Sequence, residues 1–207
     1  MNTEQNRLED RILIEAERLF LEQGFSKTTT AQIAKNVGCN QALVHYYYRT
    51  KDKLFDNIFE RKLKELLENI ASCIQNTENL SFEEQIKHII TTHFEFVCSN
   101  SQLVPFIVTE LLNNHERFRR LFENSAKSRN DVFNSFVHNV EERVKVGQIS
   151  SITPLDLLIT MFSLNVSSFM LASTVQKSLN VPPQVLKEKL ELRKEEIIKT
   201  VLARLKK

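Results

Sequence analysis

The chain has 207 residues, enough for one domain or two small ones around a sizeable core. Its 42 % hydrophobic and 26 % charged residues exclude a disordered or collagen-like chain, and three glycines with four prolines leave few tight turns, so long helices are expected. Cys39, Cys73 and Cys98 show no CxxC spacing, which speaks against a zinc ribbon or dithiol motif and for reduced thiols in a cytoplasmic protein.

The opening residues MNTEQNRLED are polar and carry no apolar segment of a secretory signal. Leu8, Ile12, Ala16, Leu19, Phe20 and Gln23 then recur at helical spacing, and Gly24 is expected to end that helix. FSKTTT reads as a loop that supplies hydroxyl caps, TTTAQIAKNV as a short helix stopped by Gly38, and a third helix begins at Asn40. Thr50 caps a fourth, whose Leu54, Ile58, Leu66 and Ile70 run to about Ala71. Ser81 with Glu84 predicts a capping box, beyond which Phe82, Ile86, Ile90, Phe94 and Val97 mark one helix and Val104 to Asn113 another. A long stripe from Phe118 to Val144 ends at Gly147. Thr153 and Pro154 start a nearly all-round apolar helix to about Val175, predicted to be buried on more than one side rather than to span a membrane, because Asp156 and Asn165 interrupt it. Pro182 and Pro183 precede a last helix with a seam of Leu186, Leu190, Ile197, Val201 and Leu205.

Residues Thr28 to Lys51 carry the functional pattern. A helix-turn-helix needs a small residue where its two helices cross, a turn residue between them and a branched apolar residue to lock the second helix; Ala34, Gly38 and Val44 fill those roles. Val44 and Tyr48 face inward, which leaves Gln41, Leu43, His45, Tyr46 and Tyr47 largely outward. An exposed aromatic cluster marks an interaction site, and DNA suits this one: imidazole and phenol groups donate to phosphates, Gln41 has the shape to read adenine and Leu43 to touch a thymine methyl. Thr28, Thr29 and Thr30 at a helix N-terminus favour a phosphate, and Lys51 adds a cation. Phe25 to Lys53 holds five cations against the one anion Asp52, whereas Met1 to Gly24 holds three cations against six anions, a polarity hidden in the net charge of +2.

ILIEAERLFLEQGFSKTTTAQIAKNVGCNQALVHYYYRTKDKLF, Ile12 to Phe55 within a likeness that spans roughly Arg11 to Phe55, resembles the N-terminal domain of TetR/AcrR-type regulators. The shared marks are the ordered LF, G, TT, IA, G, paired aromatics and K-acid-x-L. The resemblance implies an all-α fold of about nine helices: a three-helix DNA-binding domain over residues 1–55, a connecting helix to about 72, and a helical effector-binding and dimerisation domain over 73–207. It implies DNA contacts at Thr30, Gln41, Leu43, His45, Tyr46, Tyr47 and Lys51, to which the residue reading adds Thr28, Thr29 and Asn40. Ala42, His45, Tyr47 and Tyr48 depart from the Gly, Tyr, His and Phe common in the family, so base preference does not transfer.

The implied partners are double-stranded, pseudo-palindromic operator DNA with half-sites ~34–36 Å apart, a second copy of the chain held through the last two helices, and a small-molecule effector, with no membrane partner. Phe94, Phe106, Phe122, Phe133, Phe136 and Phe162, with Arg129 and Asn165, are candidates for an effector pocket or for plain core; Arg129 anchors an acidic ligand, pairs with Glu110 or stands in solvent. Glu84 and His88 make an incomplete metal set, and no catalytic pattern is present, so no enzyme activity, metal or cofactor is expected. The leading reading is a repressor released from its operator by the effector. The alternatives are a helical DNA-binding protein without small-ligand control, marked by the lack of a ligand cavity, and a small-molecule-binding protein with a vestigial helix-turn-helix, marked by salt-insensitive or absent DNA binding.

Overall fold

The computed structural model describes residues 2–75, 77, 80–117, 119–120 and 130–207. Among the described residues there is no strand, and nine helices have defined bounds: α1 (Asn2–Lys27), α2 (Thr30–Val37), α3 (Gln41–Tyr48), α4 (Lys51–Gln75), α5 (Phe82–Ser99), α6 (Leu103–Asn113), α7 (Asn130–Lys145), α8 (Pro154–Leu179) and α9 (Pro183–Leu205). The chain divides into two compact units, Met1–Glu65 with Pro105–Ser125, and Leu66–Val104 with Ala126–Lys207.

In the first unit the crossing of α1, α2 and α3 buries Ile12, Ala16, Phe20, Ile33 and Val44 together with Leu54, Phe55, Ile58 and Phe59 of α4. Phe55 is the hub: its ring meets Phe20 at 5.2 Å, Phe25 at 4.9 Å and Phe106 at 5.4 Å. Gly24 breaks α1 as expected, with φ 81° and ψ 169°, but a helical turn resumes to Lys27 where a loop was predicted. The reason is the anchoring of Phe25 in that aromatic cluster, together with the Thr28 hydroxyl donating to Gly24 O at 3.0 Å.

The second unit begins with the predicted capping box: Ser81 Oγ accepts from Glu84 N while the Glu84 carboxylate accepts from Ser81 N. α8 packs against α5, α7 and α9. Gly147, at φ 71°, follows α7 as the C-terminal stop, and Thr153 accepts from Asp156 N at the start of α8. Phe118, Phe122 and Arg129, from the predicted stripe, lie outside the described residues.

The expected packing of α8 on more than one side is met by α5, α7 and α9, but it does not extend all round the helix. Leu155, Ile159 and Leu171 are 65 %, 55 % and 64 % exposed, so one side of this helix has no cover among the described residues. Periodicity cannot separate a side covered by the same chain from one left open, because both demand apolar residues.

Candidate nucleic-acid interface

Three local devices set the reading surface. Thr29 takes extended backbone and its hydroxyl accepts from Gln32 N at 3.1 Å, fixing the start of α2. Gly38, at φ 76°, supplies the left-handed turn, with Cys39 N donating back to Ala34 O at 2.9 Å. Asn40 Oδ1 accepts from Ala42 N at 2.9 Å and opens α3. α3 turns Val44 and Tyr48 into the core. The Tyr48 hydroxyl donates to Glu9 O at 3.2 Å, and burial, reinforced by the Glu9 and Asp10 carboxylates, pushes its pKa up to about 12.

Gln41, Ala42, Leu43, His45 and Tyr46 stand outward, Tyr46 at 64 % exposure, while Tyr47 is half-buried and meets the Tyr46 ring edge-on at 5.2 Å. These groups are held rather than loose. Gln41 Nε2 donates to Thr30 Oγ1 at 2.9 Å and lies 3.4 Å from His45 Nε2, while His45 Nδ1 is 3.2 Å from Arg49 O. With the His45 proton on Nδ1, donated to Arg49 O, Nε2 accepts from Gln41 and the pair is mutually oriented.

The hydroxyls and the cation take other positions than expected. Thr28 is fully buried, Thr30 is buried and hydrogen-bonded to Gln41, and Thr29 alone of the three is exposed. Lys51 Nζ donates to Phe25 O and Thr28 O, both at 3.0 Å, and sits 4.0 Å from the Phe25 ring centroid. Its ammonium therefore ties the end of α1 to the entry of α2.

Sequence reasoning missed three residues here. Arg11 donates to Val37 O and anchors the C-terminus of α2 on α1. Arg49 ends α3 at φ 62°, ψ −57°, with Thr50 N donating to Tyr48 O at 2.6 Å, a strained three-residue turn. Arg117 pairs with Asp52, Asp56 and Glu110 at 2.6, 3.1 and 3.1 Å. Glu110, offered above as a partner for Arg129, is thus engaged by Arg117. An extended aromatic run could have flagged Arg49 as a turn; nothing local could have found Arg117.

The candidate effector residues do not gather in one described cavity. Phe106 belongs to the core of the first unit, packed on Phe55 and Phe59. Beside it a cleft of about 520 Å³ is lined by Phe25, Phe55, Phe106, Glu110 and Arg117, among others. In the second unit, Phe136 lines a cleft of about 650 Å³ with Ile74, Gln85 and Arg143, and Phe133 is half-buried on α7. Phe94 packs on Phe169 at 4.8 Å, and Phe162 lies 4.5 Å from the ring of His93. Asn165 is fully buried: its Nδ2 donates to Ile90 O at 3.0 Å and faces His93 Nδ1 at 3.0 Å, while its Oδ1 has no hydrogen-bond partner among the described residues. Burial lowers the His93 pKa to about 4, so the imidazole is neutral.

Residues 12–58 match the family of bacterial regulatory proteins, tetR family. Over that segment the chain is similar to the tetR family. It is 32 % identical over 104 residues to the nucleoid occlusion factor SlmA of Haemophilus ducreyi (strain 35000HP / ATCC 700724), covering 50 % of this chain and 46 % of that protein. It is 29 % identical over 114 residues to the biofilm operon icaADBC HTH-type negative transcriptional regulator IcaR of Staphylococcus aureus (strain Newman), covering 54 % and 57 %. The chain spans about half the length of these curated relatives. The fold is similar to that of the fatty acid degradation regulator FadR from Bacillus halodurans, with TM-score 0.61, 16 % identity, and 92 % of this chain and 94 % of that chain covered. The residues matched to the tetR family run from α1 into α4 and contain every outward side chain of α3.

Proposed function

We propose that the protein is a homodimeric DNA-binding transcriptional regulator, a repressor released from a pseudo-palindromic operator by a small-molecule effector. The observation that carries this reading is the outward face of α3, where Gln41 and His45 are exposed and brace each other and Tyr46 stands exposed against Tyr47, beside a basic segment. Phosphate contacts fall to the Thr29 hydroxyl and the exposed N-terminus of α3 at Asn40. Lys51 acts there through Phe25 and Thr28.

Dimerisation is supported by the apolar side chains that α8 and α9 leave open, Leu155, Ile159 and Leu171 on one and Leu192 on the other. Pro154–Ala172 has the length and hydropathy of a membrane span. A second copy of the chain accounts for its open side equally well and also for the Lys- and Glu-rich α9 packed beside it. Effector binding is supported by Asn165: a buried carbonyl oxygen without a partner among the described residues, beside a neutral imidazole, suits a ligand that brings a hydrogen-bond donor.

Selection of bound duplexes from random DNA tests the reading, followed by a metabolite panel screened for release. A palindromic consensus whose binding weakens steeply with salt is the expected result; recovery of no palindrome overturns it. A helical DNA-binding protein without small-ligand control would show as a consensus that no compound releases.

A further inference from the structure

We infer that Arg117, 59 positions beyond the end of the family-matched segment, is a positioning residue of the DNA-reading surface. It belongs to the same compact unit as α1 to α3 and is 14 % exposed. Its guanidinium reaches three carboxylates with three different nitrogens: Nη2 to Asp52 at 2.6 Å, Nε to Asp56 at 3.1 Å and Nη1 to Glu110 at 3.1 Å. Its carbon lies 5.3 Å from the Phe25 ring centroid and 5.1 Å from that of Phe55.

Three of those partners, Asp52, Asp56 and Phe25, lead to the reading surface. Asp52 and Asp56 sit in the first two turns of α4, next to Lys51. Phe25 also takes the Lys51 ammonium, whose two hydrogen bonds end on Phe25 O and Thr28 O. Thr28 immediately precedes Thr29, the cap of α2, and Thr30 carries the Gln41 amide. The start of α4, the elbow after Gly24 and the entry of α2 are therefore held at one point by two cations, one of them supplied from beyond α6.

Without Arg117, the Glu110 and Asp56 carboxylates, only 10 % and 18 % exposed, would lose their shared counter-charge beside the more exposed Asp52, with Arg120 on Asp56 as the cation paired there among the described residues. Repulsion would push the start of α4 away and carry Lys51 off Phe25 O. A lysine cannot substitute, since a single ammonium cannot serve three carboxylates and stack on two rings.

The experiment has a readout without DNA and one with it, because the claim about α3 rests on the function proposed above. Amide exchange is followed at Thr28, Gln32, Lys53 and Leu54, which are hydrogen-bonded at this junction, with α5 as the control for global unfolding. Arg117→Gln is expected to speed exchange at the junction about tenfold or more and leave α5 unchanged. Against a selected operator, it weakens binding about tenfold or more with an unaltered salt slope, because Arg117 touches carboxylates and not phosphates. Arg117→Lys falls in between, and adding Glu110→Gln to Arg117→Gln recovers most of the loss by removing the repelling charge. Unchanged junction exchange in Arg117→Gln overturns the inference; so does a salt slope reduced by about one, which would make Arg117 a phosphate contact. Faster junction exchange in a protein that selects no DNA upholds the positioning role and sinks the DNA reading alone.

Discussion

At the residue scale, Thr29 and Arg49 are opposite cases. Thr29 satisfies an amide that α2 would otherwise leave open, so Thr29→Ala is expected to cost about 1 kcal/mol, read as a lower urea midpoint at constant slope. Arg49 sits at φ 62°, where a side chain clashes with its own backbone and glycine does not. Arg49→Gly is therefore expected to raise stability by about 1 kcal/mol in the same titration, although mutation to glycine elsewhere in a helical protein destabilises. A lower midpoint for Arg49→Gly would show that the arginine side chain contributes more than its backbone costs. The caps Thr29, Asn40, Ser81 and Thr153 were legible because an N-cap is a local event: the hydroxyl or amide and the N–H it serves lie two or three residues apart. Lys51 was legible only as a charge. Its partners lie 23 and 26 residues away, and no spacing rule connects a lysine to carbonyls of another helix.

At the element scale, the pairing of α5 with α8 joins an apolar seam to the polar contacts of Asn165 with Ile90 O and His93. Neutral His93 binds no proton in the folded state until about pH 4, whereas in the unfolded chain it takes one up near the ordinary value of 6.5. Below 6.5 the unfolded state binds more protons, so stability falls as pH drops and levels off below about 4. The full loss is about 3 kcal/mol, from a shift of roughly two and a half units at 1.36 kcal/mol each. Carboxylate titrations overlap this window, so the check is a difference: His93→Gln should flatten the curve of stability against pH between 6.5 and 4 relative to the parent protein. Parallel curves would mean that the imidazole finds solvent or a counter-charge when protonated. The sequence showed that α5 and α8 are apolar and that Asn165 interrupts the latter. It did not show that His93 meets it, since 72 positions separate the two and only the packing of the helices brings them together.

For the whole molecule, the same limit decides what could be read. Helix periods, caps and breakers made the all-helical chain and its three-helix reading head visible from Leu8 to Phe55. The joining of Pro105–Ser125 to that head, and the open side of α8, are properties of which surface meets which. That open side gives the last prediction. Leu155, Ile159 and Leu171 on α8 and Leu192 on α9 are each more than half exposed, in a unit whose interior already holds Leu157, Met161, Phe169, Ile197 and Val201. Mutating them should therefore leave the fold of one chain nearly intact while removing what a second copy would cover. Two carboxylates placed there would meet their own symmetry mates across a two-fold interface, adding like-charge repulsion to lost apolar burial. Ile159→Glu combined with Leu192→Glu is expected to turn a dimer into a monomer by light scattering at micromolar concentration, with helical content preserved by circular dichroism. Operator binding should then fall far more for a full palindrome than for a half-site, because a monomer loses the second half-site contact and not the first. A double variant that still scatters as a dimer would place the interface elsewhere and leave the apolar side of α8 without a role.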